Sequence, residues 1–244
     1  ALRQAFPEVL LMTTSYDHSF GLESCVKTID AWCPLTPKFD VPKAAQVRAA
    51  GKFVWWYICC SPKSPYANWF VESDAIESRL LMGAMTAKYR PDGFLYYSLS
   101  IWNQNKPIES GPFTDWNPVS WTTYHGDGSL FCSGPGGKPI PTIRLENYRD
   151  GMEDFAYARI LEECIRRVQS KPKRTAAERH WLPTARAALA VPLDLVGTMA
   201  EYSHDPQRLL AWRQTMAERI EQSGVRDANP WGQGFAARGL GRRR

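Results

Sequence analysis

Aromatic side chains and hydrogen-bonding groups recur together where apolar segments of the chain end. That combination suits recognition of a sugar, which presents flat C–H faces ringed by hydroxyls and therefore needs aromatic platforms beside fixed polar partners. Trp32, Tyr57, Trp102 and Trp116 are candidate platforms, with Asp30 and Asn103 as candidate partners. Any one Trp or Tyr in a strand serves equally well as core filler. Three of these aromatics at segment ends, with Trp116 on the loop that follows, shift the balance toward a substrate-binding site.

Catalytic groups are harder to find. Hydrolysis of a glycosidic bond uses two carboxyl groups, unless the substrate's own acetamido group replaces the protein nucleophile. No adjacent Asp and Glu pair stands at a segment end. Glu153 and Asp154 are adjacent, but the pattern places them on the first turn of a long helix, where acidic residues cap and salt-bridge. Asp17 beside His18 could form an acid and base couple, with no third partner legible. No GxSxG turn occurs. The stretch 133–139 (SGPGGKP) lacks the spacing of a phosphate loop and reads as a rigid turn. The four histidines are scattered and no CxxC pair occurs, so neither a metal nor any other cofactor is expected. The six cysteines read as buried free thiols, and on one strand Cys59 and Cys60 would face opposite ways.

The elements that must position these groups follow from hydrophobic spacing. Apolar segments at 9–14, 26–32, 53–60 and 93–102 read as strands. Residues 42–50, and 74–89 with Ser73 as cap, read as helices between them. Near-continuous apolar strands alternating with helices predict an α/β fold with a parallel sheet. Four such units are half of a (β/α)8 barrel, in which sites lie at the C-terminal ends of the strands. Residues 103–141 read as one long structured loop. After Pro141, Phe155, Ala158, Leu161, Ile165 and Val168 mark the longest helix, and 176–190 and 205–222 read as two more. The expected division is a barrel half over 1–170 and a helical extension over 171–244 with a basic end.

The formal charge of +5 is largely Arg242, Arg243 and Arg244 plus a nearly balanced body, and aromatic and basic residues do not interleave, which argues against nucleic acid as a partner. The longest apolar run, at 53–60, is far short of the roughly 20 residues of a membrane span. No secretory signal is visible at the start.

Four stretches carry a family resemblance: IDAWCP (29–34), WWYICCSPKSPYANWFVES (55–73), DGFLYYSLSIWN (92–103) and GDGSLFCSGPGGKPIPTIRLENYRDGMEDFAYARIL (126–161). Together they resemble the C-terminal half of the catalytic barrel of glycoside hydrolase family 123 and its uncharacterised relatives, over about residues 6–165. The resemblance implies a (β/α)8 barrel and a β-N-acetylgalactosaminidase acting by substrate assistance. It also implies an Asp–Glu pair, the Asp orienting the acetamido group and the Glu acting as general acid and base, expected upstream of Ala1. Asp30, Trp32, Tyr57, Trp102, Asn103 and Trp116 would then form the far wall of the pocket. Arg144, Glu146, Arg149 and Asp150 look family-typical, and their place at a helix start suggests an ion-pair network clamping the barrel. The function expected is therefore part of a hydrolase of N-acetylhexosamine glycans, whose other barrel half lies upstream or in a partner chain. The alternative is a degenerate, non-catalytic barrel serving as a carbohydrate-binding or scaffold subunit of a larger assembly.

Overall fold

The structure is a computed structural model describing residues 2–14, 17–101, 117, 119 and 123–230. It divides into two compact units, one of residues 1–78 and 89–146, the other of residues 79–88 and 147–244.

The first unit opens with a short helix, α1 (Leu2–Ala5), and strands β1 (Met12–Thr13) and β2 (Ala31–Trp32). Helix α2 (Val41–Ala49) starts where Asp40 accepts from the Lys43 amide at 2.9 Å, with Pro42 in its first turn, and it buries Ala44 and Val47. Strands β3 (Phe53–Val54), β4 (Trp56–Ile58) and β5 (Phe94–Tyr96) follow. All pair parallel and in chain order, β1-β2-β3 and β4-β5. Residues 53–58 turn their backbone alternately to two neighbours. Phe53 and Trp55 donate to Asp30 and Trp32 at 2.9 and 2.7 Å, whereas Trp56 donates to Gly93 at 3.1 Å. The four apolar segments thus lie side by side, without a closed barrel among the described residues. Asp92 braces this array, accepting from Arg48 Nε at 2.8 Å and from the Val54 amide at 2.8 Å. Trp56, Val54 and Ile58 are buried, and Phe39 meets the Trp56 ring edge-on at 5.4 Å.

Several local expectations shift. The strands are shorter than the apolar runs, so Asp30 stands at the N-terminal end of β2 and not at its C-terminal end. β4 stops at Ile58, and Cys59 and Cys60 lie in the bend beyond it with their sulfurs 3.9 Å apart, not on opposite faces of a strand. The span read as one long loop contains an antiparallel hairpin, β6 (Phe131–Ser133) with β7 (Pro139–Pro141), closed by a turn over Pro135–Gly137. Helix α3 (Ile76–Leu80) is entered from Asp74, not Ser73: the Asp74 carboxylate accepts from the Ile76 amide at 3.3 Å.

α3 continues through a π-helical turn, Leu81–Met85, into α4 (Thr86–Tyr89). Residues 79–88 belong to the second unit, and Leu81, Met82, Ala84 and Met85 are buried there. Helix α5 (Ile143–Gln169) buries Ala158, Leu161, Ile165 and Val168 on one face. Because α5 starts at Ile143, Glu153 and Asp154 sit well inside it, not on its first turn. Helix α6 (Ala176–Leu189) begins with a capping box between Thr175 and Glu178, and α7 (Pro206–Gln222) is capped by Asp205. These two helices pack on each other, and the Trp181 indole donates to the Arg219 carbonyl at 2.9 Å. Among the described residues no helix is long and apolar enough to cross a membrane.

Candidate functional site

At the C-terminal ends of β4 and β5 a polar group assembles from backbone turns as much as from side chains. Tyr96, the last residue of β5, donates through its hydroxyl to Asp127 at 3.3 Å and accepts from the Gly128 amide at 2.8 Å. Asp127 is fully buried. Burial pushes the Tyr96 phenol well above its ordinary range and the Asp127 charge pushes it further, so the hydroxyl stays protonated as a donor. Burial likewise pushes the Cys59 thiol up to about 11, which leaves it a poor nucleophile near neutral pH.

The bend after β4 is held by Asn68, whose amide donates to the carbonyls of Cys59 and Pro62 at 3.0 and 2.8 Å. That fixes Trp69, whose ring lies 4.9 Å from Phe94 and 4.6 Å from Tyr96. Phe70 stacks on Tyr124 at 4.3 Å, with the Lys63 ammonium 5.3 Å from the Tyr124 ring on this same end of the unit. Glu72 pairs with His125 Nδ1 at 2.6 Å and also accepts from the His125 amide at 3.0 Å.

Arg144, on the first turn of α5, makes no ion pair among the described residues, where the sequence places it in an ion-pair network. Its guanidinium donates to three backbone carbonyls, Trp69 at 2.6 Å, Gly126 at 2.8 Å and Ser129. Gly126 is required there: its φ is +73°, and a Cβ would stand 2.6 Å from Arg144 Nη1. Beside Arg144 opens a cavity of about 190 Å³, lined by Phe70, Val71, Ile101, Thr142 and Ile143 among others. Ion pairing is instead the fate of Asp150, which meets Arg149 at 3.0 Å and Arg79 at 3.7 Å.

The residues singled out from sequence are placed as follows. Asp30 accepts from the Leu11 amide at 2.9 Å and from Arg3, which ties β2 to the chain before β1. Trp32 is 2% exposed, and its ring packs so closely on Gly21 that a Cβ there would lie 2.6 Å from it. The Trp32 indole N–H has no acceptor among the described residues. Tyr57 is the central residue of β4, half-buried, opposite Leu95 of β5. Trp102, Asn103 and Trp116 lie outside the described residues. The Asp17 carboxylate is taken up by Ser19 at 2.6 and 2.9 Å and by the Gly21 amide at 3.2 Å; the Ser19 hydroxyl above all holds its pKa down. Asp17 therefore serves as a loop-closing acceptor.

Sequence reasoning did not reach Asp127, Tyr96 or Asn68. For Asp127 a signal existed in the GDG turn at 126–128, a pattern that reverses the chain and brings a short carboxylate close to backbone amides. Among the described residues no adjacent Asp and Glu stand at a strand end, and no cluster of three or more His, Cys, Asp or Glu could hold a metal ion.

Comparison with protein families matches residues 1–161 to the family model described as "Glycoside hydrolase 123, catalytic domain". No curated protein matches the chain.

Proposed function

The chain belongs to glycoside hydrolase family 123 through its residues 1–161, and from that premise we propose that it forms the C-terminal part of a (β/α)8 catalytic barrel hydrolysing β-linked N-acetylhexosamine glycans, β-N-acetylgalactosaminides in particular. In this reading residues 1–170 are the barrel part and 171–244 a helical extension. The observation that carries it is the parallel, chain-order pairing of β1-β2-β3 and β4-β5, the arrangement of successive units in such a barrel. Among the described residues β1 is paired on one side only, and Val9 and Leu10 just before it and Met12 within it are exposed apolar side chains. A parallel strand edge of that character is normally covered, which supports a neighbouring strand supplied from outside residues 1–244, in the same polypeptide or in a partner chain.

The chemistry proposed is substrate assistance. The acetamido oxygen attacks the anomeric carbon as a Glu protonates the departing glycosidic oxygen. The resulting oxazolinium ring is opened by water, which the same Glu, now a carboxylate, deprotonates, while a neighbouring Asp orients the acetamido N–H. Both acids come from the other half of the barrel. This chain supplies the facing wall, with Tyr57, Trp102 and Trp116 as apolar surfaces, Asn103 as polar partner, and Trp32, buried against Gly21, backing the wall from behind. Asp30 contributes by bracing β2, and the nucleophile is the substrate's own, so no cofactor is involved.

The test is acetamido dependence. With the chain joined to an Asp–Glu-bearing half, an aryl β-N-acetylgalactosaminide should be cleaved, and the matching aryl β-galactoside, which has a hydroxyl in place of the acetamido group, should not. Comparable cleavage of both would overturn substrate assistance. Sugar binding without cleavage of either would favour the carbohydrate-binding scaffold.

A further inference from the structure

We propose that the cavity at the start of α5 is a binding site for a small carboxylate with an apolar body, with Arg144 as its counter-ion. This goes beyond the glycosidase reading and stands or falls separately from it.

Arg144 is only 7% exposed. A guanidinium has five N–H donors. Three are used: both on Nη1, toward the Trp69 and Gly126 carbonyls, and one on Nη2, toward Ser129. Beyond these, the guanidinium makes no hydrogen bond through Nε among the described residues and only one through Nη2. Nε and Nη2 form the side-on edge with which a guanidinium grips a carboxylate through two parallel bonds. Among the described residues no carboxylate lies within ion-pair distance of Arg144. Glu72 and Asp127 act on it only through space, and the effect of burial, which disfavours its charge, outweighs each of them. A buried cation held by neutral carbonyls alone is costly, and a bound anion offsets that cost.

The cavity itself selects the anion. Arg144 lines it together with Thr142 and Ile143, so the start of a 27-residue helix, whose dipole favours negative charge, borders the same space. The rest of the wall is mainly apolar, with Phe70, Val71, Ala75 and Ile101 around it. Its volume of about 190 Å³ exceeds the roughly 150 Å³ of an apolar cavity that holds benzene. A hydrated sulfate or phosphate gains nothing from such walls, whereas a carboxylate on a ring or branched chain fills them.

The experiment is calorimetric titration of the 244-residue chain with benzoate, with benzyl alcohol and inorganic sulfate as comparison probes. Saturable one-to-one benzoate binding is expected, with benzyl alcohol weaker by about tenfold or more because it cannot accept the paired bonds. Sulfate at equal concentration should not displace benzoate. Ala75→Phe, which adds bulk to the cavity wall and leaves the Arg144 side chain itself unchanged, should weaken benzoate by about tenfold or more while the unfolding midpoint stays put. Arg144→Lys keeps the charge and removes the fork, and should also weaken binding; if that variant fails to fold, Ala75→Phe decides. Absence of benzoate binding, equal affinity for benzyl alcohol, displacement by sulfate, or indifference to Ala75→Phe would each overturn the proposal.

Discussion

The two units bury their arginines in opposite ways. In the first, Arg144 sits among carbonyls, with donors to spare and a cavity alongside. In the second, Asp154 is 0% exposed and accepts from Arg79 Nε at 2.7 Å, Arg79 Nη2 at 3.1 Å and Arg213 Nη1 at 3.0 Å. The paired charges are mutually satisfied and leave little for a ligand to do, so Arg79, Asp154 and Arg213 read as a brace. The carbonyl-cradled arginine is positioned by three hydrogen bonds, but no carboxylate among the described residues pairs with it. Arg144 and Asp154 lie in the same family stretch, 126–161, and only the partners separate a structural arginine from one with donors left for a ligand.

The brace can be broken most severely. Asp154→Ala leaves two guanidinium groups facing each other without their shared carboxylate, and denaturant unfolding should show a loss of about 3–5 kcal/mol. A loss below about 1 kcal/mol would mean that the brace is not holding the second unit together.

The cradle should break next. Gly126→Ala combines a strained left-handed backbone with a Cβ driven into the guanidinium, and should cost about 1–3 kcal/mol in the same measurement. If instead it stabilised the protein, the Arg144 geometry described above would be wrong.

An exposed arginine pair sharpens the contrast from the other side. Glu163 accepts from Arg166 and Arg167 on the surface of α5, and hydrogen bonding to Arg166, above all, lowers its pKa to about 2. Because the folded value is below the ordinary 4.5, any stabilisation is present above about pH 4.5 and fades as pH falls toward about 2. Screening by water keeps it below about 1 kcal/mol. Glu163→Gln should therefore lower stability slightly at pH 7 and leave it unchanged at pH 2, as read from urea midpoints. A deficit that persisted at pH 2 would show that packing, not charge, is responsible.

These contrasts also mark what could be read in the sequence. The face of α5 was legible because Ala158, Leu161, Ile165 and Val168 repeat at helical spacing, and the parallel order was legible because the strands are near-continuously apolar. Strand limits were not: two or three paired residues inside a longer apolar run leave no mark, which is how Asp30 came to be read at the wrong end of β2. The hairpin of β6 and β7 was hidden by prolines at both ends of β7 and by the glycines of its turn. The Arg144 cradle was beyond reach for a different reason. Trp69, Gly126 and Ser129 contribute carbonyls, and every residue has one, so no side-chain pattern announces them. Asp154 was read as a salt-bridging residue, but its partners Arg79 and Arg213 lie about 60 to 75 positions away in the chain, and only the fold identifies them.

The most direct measurement of the proposed function is the initial rate of aryl β-N-acetylgalactosaminide hydrolysis by residues 1–244 alone, set against the same chain combined with a half that carries the Asp–Glu pair. Turnover is expected only in the combination, and it should disappear when the Glu of that pair is changed to Gln. Equal turnover by residues 1–244 alone would contradict the assignment of this chain to the non-catalytic wall of the pocket.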